Sequence, residues 1–180
     1  MKLLKFASDS AVAADVARDL VAALTCEQEV HTIENMVGDV PWSMLSWLRT
    51  KSRLTSKNGG ISAAYDGTQL IGICGHEQND LIFSEALQFG MRLWVHPDRR
   101  GQFIPSKLIA PALEYAEAQC MTAWTSFNMS RFAMLRMIDI RSKSGDSLIS
   151  TQWTGFKTLP DRVLLNNVEQ YIAFKDFAPT

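Results

Sequence analysis

The sequence contains few of the residues that build metal sites and disulfide frameworks. Among its 180 residues are three cysteines, Cys26, Cys74 and Cys120, and three histidines. The odd number and wide spacing of the cysteines predict no disulfide framework, and no CxxC or HxxxH spacing indicates a zinc site. We therefore expect no resident metal, and reduced cysteines of the kind that are typical of the cytoplasm.

Long apolar runs and an excess of one charge are also missing. A membrane span needs about 20 consecutive apolar residues, and Lys5, Ser8, Asp9 and Asp15 interrupt the N-terminal segment too early for a signal peptide. We expect a soluble, cytoplasmic protein without membrane contact. The 18 basic and 19 acidic side chains give a net charge of −1, which argues against a general attraction to nucleic acid.

What the sequence does have is enough apolar residues for a full core, at 47 % of the chain. A length of 180 residues suits one domain. No internal repeat and no low-complexity linker divides the chain. We predict a single domain over residues 1–180.

Two hydrophobic periods follow one another between Leu87 and Glu117. From Leu87 to Val95 every second residue is apolar, which predicts a strand with one face in the core. Pro97 ends this strand because it has no N–H for the ladder. The next apolar residues recur with a period of 3.6 and predict a helix; they are Ile104, Leu108, Ile109, Ala112, Leu113 and Ala116.

The turn between these two elements is basic and contains a glycine. Its sequence is Asp98-Arg99-Arg100-Gly101-Gln102. The first turn of a helix has N–H groups without internal partners, glycine lets the backbone approach an anion, and arginine can clamp a phosphate. An anion site is therefore one interpretation. The alternative is an ordinary connection with a solvated basic turn.

The remaining segments give an α+β order of elements. They predict a first strand at residues 3–7, a helix with Val12 and Leu24 on its apolar face, and a second helix near Pro41 that ends in a basic cluster. Asp66-Gly67 predicts a hairpin between strands 61–65 and 69–76. Later segments predict a strand at 121–127, a well-buried helix from Asn128 to about Ile140, and last strands at 155–156 and 171–177. Helices packed on a central mixed, mostly antiparallel sheet are the predicted fold.

The segment around the basic turn resembles the central motif of the GNAT superfamily of acyl-CoA-dependent N-acyltransferases. That motif is a strand ending in hydrophobic-x-Pro, then [Q/R]-x-x-G-x-[G/A], then a helix that opens with a leucine pair. Pro97, Arg100 and Leu108-Ile109 match its spacing. The phosphate loop is divergent, because Phe103 and Pro105 stand where the motif has a glycine and a second small residue. The resemblance covers roughly residues 61–136 and is supported by the order of elements.

The resemblance implies acetyl-CoA as acyl donor and a primary amine, on a small molecule or a protein, as acceptor. It implies that the edge of the strand ending in Leu93, Trp94 and Val95 pairs with the pantetheine arm. It also implies that the turn holds the pyrophosphate through Arg100, Gly101, Gln102, Phe103 and Ile104. Asn128 stands where many members hold the pantetheine arm, although a helix N-cap explains an asparagine there equally well.

Acid and base groups are less defined. Where many members have a tyrosine that protonates the departing thiolate, this chain has Leu135. Ser130 is a substitute donor, and Glu85 is a base that could relay the amine proton through water. His76 and Glu77 are alternatives to Glu85. Surface or turn positions explain each of them as well, and the thiolate could also leave unaided.

Two other functions use the same fold without acetyl transfer. The altered loop could have lost CoA, which would leave a binding or inhibitor module. Alternatively, the protein could modify nucleic acid; the residues that suggest this are Arg131, Arg136, Arg141 and Lys143, close to Phe127 and Phe132. Fold alone does not choose among these functions. The acceptor and the oligomeric state, a homodimer included, are left open.

Overall fold

Strands and helices follow the switches in hydrophobic period along the chain. The computed structural model describes residues 1–7, 10–23, 59–128, 131–143, 153–165 and 167–177. The described strands are β1 (Lys2–Ala7), β2 (Gly59–Asp66), β3 (Gln69–Asn79), β4 (Ala86–Val95), β5 (Ala123–Phe127), β6 (Lys157–Thr158), β7 (Val163–Leu165) and β8 (Val168–Lys175). The described α-helices are α1 (Ser10–Ala23), α2 (Ile104–Ala118) and α3 (Arg131–Ser142). The predicted helix near Pro41 and its basic cluster lie outside the described residues.

The chain divides into two compact units. The first contains Met1–Glu77 and Gly90–Ala112, and the second contains Gln78–Phe89 and Leu113–Thr180. The division falls within β3, β4 and α2. A single domain over residues 1–180 stays a prediction.

In the first unit the strands lie in the order β1-β2-β3-β4. β1 pairs antiparallel with β2, and β2 pairs antiparallel with β3 through the predicted hairpin, in which Asp66 lies opposite Gln69. Gly67 has a φ of 59° in this turn, a conformation that glycine adopts without steric cost. The hairpin prediction is confirmed.

Both faces of this sheet are covered, so its strands are more apolar than a half-buried strand. On one face Val16 and Leu20 of α1 form a core cluster with residues of β2, β3 and β4; those strand residues are Ile61, Ala63, Leu70, Ile73 and Trp94. On the other face α2 lies directly on β3. A Cβ added to Gly72 would be 2.8 Å from Ile104 Cγ2, so only glycine leaves room for the helix there.

The predicted alternation of β4 is wrong at its C-terminal end. Trp94 is placed by the alternation on the face opposite Leu93 and Val95, away from the core, yet it is 4 % exposed and belongs to the core cluster. Gly90 lies within the continuous strand and has a φ of 75°. Because both faces of the sheet are covered, Trp94 and Val95 can both be buried although they point to opposite faces.

The second unit is built around β8. β5 pairs parallel with β4 at Leu87 and Gln88, and antiparallel with β8 along its whole length. β6 and β7 each pair antiparallel with β8. Ala86, Trp124 and Ile172 form the centre of its core. The last predicted strand is confirmed as β8, whereas 155–156 precede β6 and β7 was not predicted.

Helix α3 is less buried than its sequence predicts. Met134 and Ile138 are buried, but three large apolar side chains are exposed; they are Phe132, Leu135 and Ile140. The prediction of a well-buried helix is wrong, because apolar residues around the whole circumference were taken to mean burial on all sides.

The α+β class with a mixed, mostly antiparallel sheet is confirmed. None of the helices in the described ranges combines the length and apolar character that a membrane crossing requires.

Candidate functional site

The C-terminal end of β4 presents backbone groups at its outer edge. The His96 N–H donates to the Ile71 carbonyl of β3 at 2.9 Å. Because successive residues of a strand direct their backbone groups to opposite sides, the N–H and C=O groups of Val95 and Leu93 point away from β3. Trp94 by the same rule directs its backbone groups toward β3. In the first unit, Leu93 and Val95 therefore form the outer edge.

The turn after β4 is a short 3-10 helix, Pro97–Arg99, held by its own side chains. His96 Nδ1 accepts from the Asp98 N–H, and the Arg100 N–H donates to the Pro97 carbonyl at 3.2 Å. Arg99 forms an ion pair with Asp66 of the β2–β3 hairpin. These contacts fix the turn to the sheet.

Arg100 folds back onto the strand. Its Nε donates to the Val95 carbonyl at 3.2 Å, which places the guanidinium at the outer edge of β4. A guanidinium in this place adds a fixed positive charge directly beside the open backbone groups.

The next four residues present unused backbone donors. Gly101 and Phe103 have φ values of 81° and 56°. In the part of the chain that the structure describes, the N–H groups of Gly101, Gln102, Phe103 and Ile104 donate to no backbone carbonyl. Consecutive N–H groups in such a turn form a concave anion site, a nest.

Helix α2 begins directly after these donors. The Lys107 N–H donates to the Phe103 carbonyl at 3.4 Å, and Ile104 is 1 % exposed against β3. Pro105 occupies the second helical position, where it has no N–H to offer to an anion. The donors of residues 101–104 therefore lead directly into the first turn of α2, and the buried Ile104 packs this start of the helix on β3.

Phe103 keeps a backbone conformation that suits glycine. A left-handed φ costs a bulky residue about 1–2 kcal/mol, and the side chain is 59 % exposed, so burial does not offset this strain. The turn thus has a left-handed φ at a bulky residue whose phenyl group is exposed to solvent.

Comparison with solved structures identifies the fold. A chain assigned to the GNAT acetyltransferase family from Desulfovibrio desulfuricans matches over 98 % of this chain and 100 % of its own length, with a TM-score of 0.62 and 9 % identity. The chain has the GNAT fold. The family resemblance predicted from the sequence is confirmed at the level of fold, and the phosphate loop stays a prediction. No protein-family model and no curated protein matches the sequence.

Two further matching structures are named for an acetyltransferase activity. An aminoglycoside 6'-N-acetyltransferase complexed with coenzyme A matches over 100 % of this chain and 99 % of its own, with a TM-score of 0.56 and 14 % identity. The ribosomal-protein-S18-alanine N-acetyltransferase from Escherichia coli matches over 99 % and 95 %, with a TM-score of 0.56 and 13 % identity. At these identities the matches show the fold alone.

The other predicted GNAT site residues lie outside the first unit or outside the described ranges. Glu85 lies in the second unit, where its N–H donates to Asp80 Oδ1 at 2.6 Å and its side chain is exposed. Asn128 is exposed and is the first residue after β5. Ser130 lies outside the described residues. The catalytic roles of Glu85 and Ser130 stay predictions.

His76 is not suited to relay a proton through water. It is fully buried, its Nε2 lies 3.2 Å from Ser62 Oγ, and burial lowers its pKa to about 3. A hydrogen bond with the backbone of Leu108 raises this pKa, but it is the smaller of the two effects. The neutral ring of His76 is a core group of β3 that faces α2. Burial likewise raises the pKa of the nearby Cys74 thiol, which makes it unreactive.

The second unit contains a cavity of about 490 Å³ that the sequence did not reveal. Trp153 lines it, with its ring 5.1 Å from that of Phe156 and its Nε1 without a partner in the described part of the chain. Asp139 lies at the rim with Lys143 Nζ at 2.6 Å. The full lining is Leu135, Ile138, Asp139, Ser142, Trp153, Thr154, Gly155 and Phe156. α3 and residues 153–156 have no common spacing in the sequence, and only their packing brings them together.

Proposed function

We propose that this protein is an N-acetyltransferase that transfers acetyl from acetyl-CoA to a primary amine. The observation that carries the proposal is the run of unused N–H donors at residues 101–104, between an open strand edge and the start of α2. Consecutive free N–H groups and a helix dipole favour a pyrophosphate, and four such N–H groups lead into α2 in this turn. A coenzyme A complex in one structure of the same fold supports the same conclusion.

The strand edge would hold the pantetheine arm as an added strand. Leu93 and Val95 present N–H and C=O groups that match the amides of the arm. The Val95 carbonyl already accepts from Arg100, so its N–H is the group that remains for the ligand. Trp94 supports this edge from within the core, because its indole is buried against α1 residues.

The reaction would begin with a neutral amine. Its nitrogen attacks the thioester carbonyl, the carbonyl oxygen becomes an oxyanion, and the Val95 N–H stabilises that charge. Collapse of the intermediate breaks the carbon–sulfur bond and releases the CoA thiolate. A base takes the proton of the amine, for which we propose Glu85 acting through water, and Ser130 or solvent gives a proton to the thiolate.

Calorimetric titration with acetyl-CoA tests binding of the acyl donor. A mass-spectrometric screen of amines with acetyl-CoA tests transfer of the acetyl group. We expect saturable binding and an acetylated product among small-molecule or protein amines. Glu85→Gln and Ser130→Ala should each lower turnover, and unchanged turnover in both would remove those two roles. Folded protein that binds no CoA thioester would contradict the proposed function.

A non-catalytic binding module is the rival function, favoured by Phe103 and Pro105 in the loop. The double variant Phe103→Gly with Pro105→Gly separates the two. If the protein is an acetyltransferase, the wild type binds CoA and the double variant still binds it. Wild type that cannot bind, together with a double variant that can, would identify a loop that has lost its ligand.

A further inference from the structure

Packing within the described residues does not account for the backbone conformation of Phe103. This residue holds a left-handed φ of 56° that is unfavourable for a bulky residue, and its side chain is 59 % exposed. In the part of the chain that the structure describes, no other aromatic ring stacks on it. Strained residues that packing does not reward cluster at ligand sites.

The position of Phe103 relates it to one part of a nucleotide. Its N–H is the third of four consecutive unused donors, so its Cα belongs to the same turn that would hold a pyrophosphate. The pantetheine end of such a ligand would follow the edge at Val95, which is 8 % exposed. The nucleoside end must then leave on the solvent side, where the phenyl group lies.

We infer that Phe103 is a specificity-determining residue that stacks on the adenine of the acyl donor. This inference rests on the proposed function and deepens it, since it selects nucleotide-bearing thioesters over thioesters of phosphopantetheine alone. An exposed phenyl face stacks on any base, which adds affinity without further hydrogen bonds. The stack compensates for the hydrogen bond to the pyrophosphate that Pro105, which has no N–H, cannot donate.

The test is CoA affinity against 4'-phosphopantetheine affinity for wild type and three variants. Phe103→Leu keeps the Cβ and hence the backbone strain but removes the aromatic ring, and Phe103→Trp keeps a ring. Phe132→Leu is the matched control, because Phe132 is an exposed phenylalanine on α3 outside the loop. Circular dichroism confirms that each variant is folded.

We expect Phe103→Leu to weaken CoA binding about 5- to 150-fold, the range for loss of one base stack, and to leave phosphopantetheine unchanged. Phe103→Trp and Phe132→Leu should bind CoA as wild type does. Equal CoA affinity in wild type and Phe103→Leu, or an equal loss for both ligands, would overturn the stacking inference while leaving the proposed function intact. Wild type that binds neither ligand overturns both.

Discussion

Under the proposed function, single side chains in the turn after β4 take over part of the anion binding from backbone groups. Pro105 offers no N–H, so an anion in this loop would depend more on side chains than in a loop of glycines. Arg100 is the best placed of these, since its Nε is held on the Val95 carbonyl at the strand edge. A pre-positioned guanidinium loses little conformational entropy when it binds a phosphate.

Arg100→Ala should therefore weaken CoA binding by about 1.5–3 kcal/mol, the scale of hydrogen bonds to charged groups. Arg100→Lys keeps the charge without the planar fork and should recover only part of the loss. Arg162→Ala is the control, because Arg162 pairs with Glu169 in the β7–β8 hairpin. Titration calorimetry at one salt concentration measures all four proteins. Wild-type affinity in Arg100→Ala would exclude this loop as the phosphate site.

His76 makes stability depend on pH. The pKa of His76 is lowered to about 3 by burial, below the value of about 6.5 that histidine has in an unfolded chain. Below about pH 6.5 the unfolded state binds a proton that the folded state does not bind. The free energy of unfolding therefore falls as the pH falls toward 3, and it is insensitive to this group above pH 7.

Between about pH 7.5 and pH 5 this linkage amounts to about 2 kcal/mol. Urea unfolding at both pH values should show that loss in wild type and not in His76→Gln, even if the variant is less stable throughout. Equal pH dependence in wild type and His76→Gln would assign the effect to other groups.

At the scale of elements, the close contact of α2 with β3 positions the loop. Ile104 is the first residue of α2, and its Cγ2 lies where a side chain at position 72 would begin. The absence of a Cβ at Gly72 thus lets the helix N-terminus lie directly on the sheet. The donors of residues 101–104 immediately precede this contact.

Gly72→Ala should destabilise the protein by about 1–3 kcal/mol through overpacking and weaken CoA binding by moving the start of α2. In the double variant with Ile104→Ala, the new methyl group enters the space that Ile104 vacates. Its loss of stability should therefore be smaller than the sum of the two single losses. Denaturant unfolding of the four proteins measures this coupling, and strict additivity would contradict the contact.

For the whole molecule, balanced charge favours a small ligand over nucleic acid. The net charge is −1, and two of the basic residues that suggested a nucleic-acid surface are engaged within the second unit. Arg141 lies over the Trp153 ring at 5.7 Å, and Lys143 pairs with Asp139. Engaged cations bind phosphates less readily, because their present contacts must first be given up.

We accordingly expect saturable binding of CoA and no saturable binding of single-stranded DNA at about physiological salt. Fluorescence titrations at two salt concentrations distinguish the cases, because phosphate contacts give an affinity that falls steeply as salt rises. Tight, salt-dependent DNA binding by protein that does not bind CoA would favour nucleic-acid modification on this fold.

Local sequence determined the elements and their order. Alternation predicted β2, β3 and most of β4, the 3.6 period predicted α2, and Asp66-Gly67 predicted the hairpin, because each of these signals depends only on neighbouring residues. The switch of period around the basic turn also identified the strand–turn–helix connection in which the unused donors lie. These features predicted an α+β fold, and the GNAT type came from the resemblance of the strand–turn–helix segment to that family's central motif.

Only the tertiary structure decided which faces of the strands and helices are buried. Trp94 lies in the core because both sheet faces are covered, and Phe132 is exposed although its helix is apolar on most sides. Whether a side chain is buried depends on the element that packs against it as well as on its own segment, so the hydrophobic period of one segment cannot predict it. The left-handed backbone of Phe103 was not predicted either, because a bulky residue disfavours this conformation, and only the backbone of the folded chain shows it.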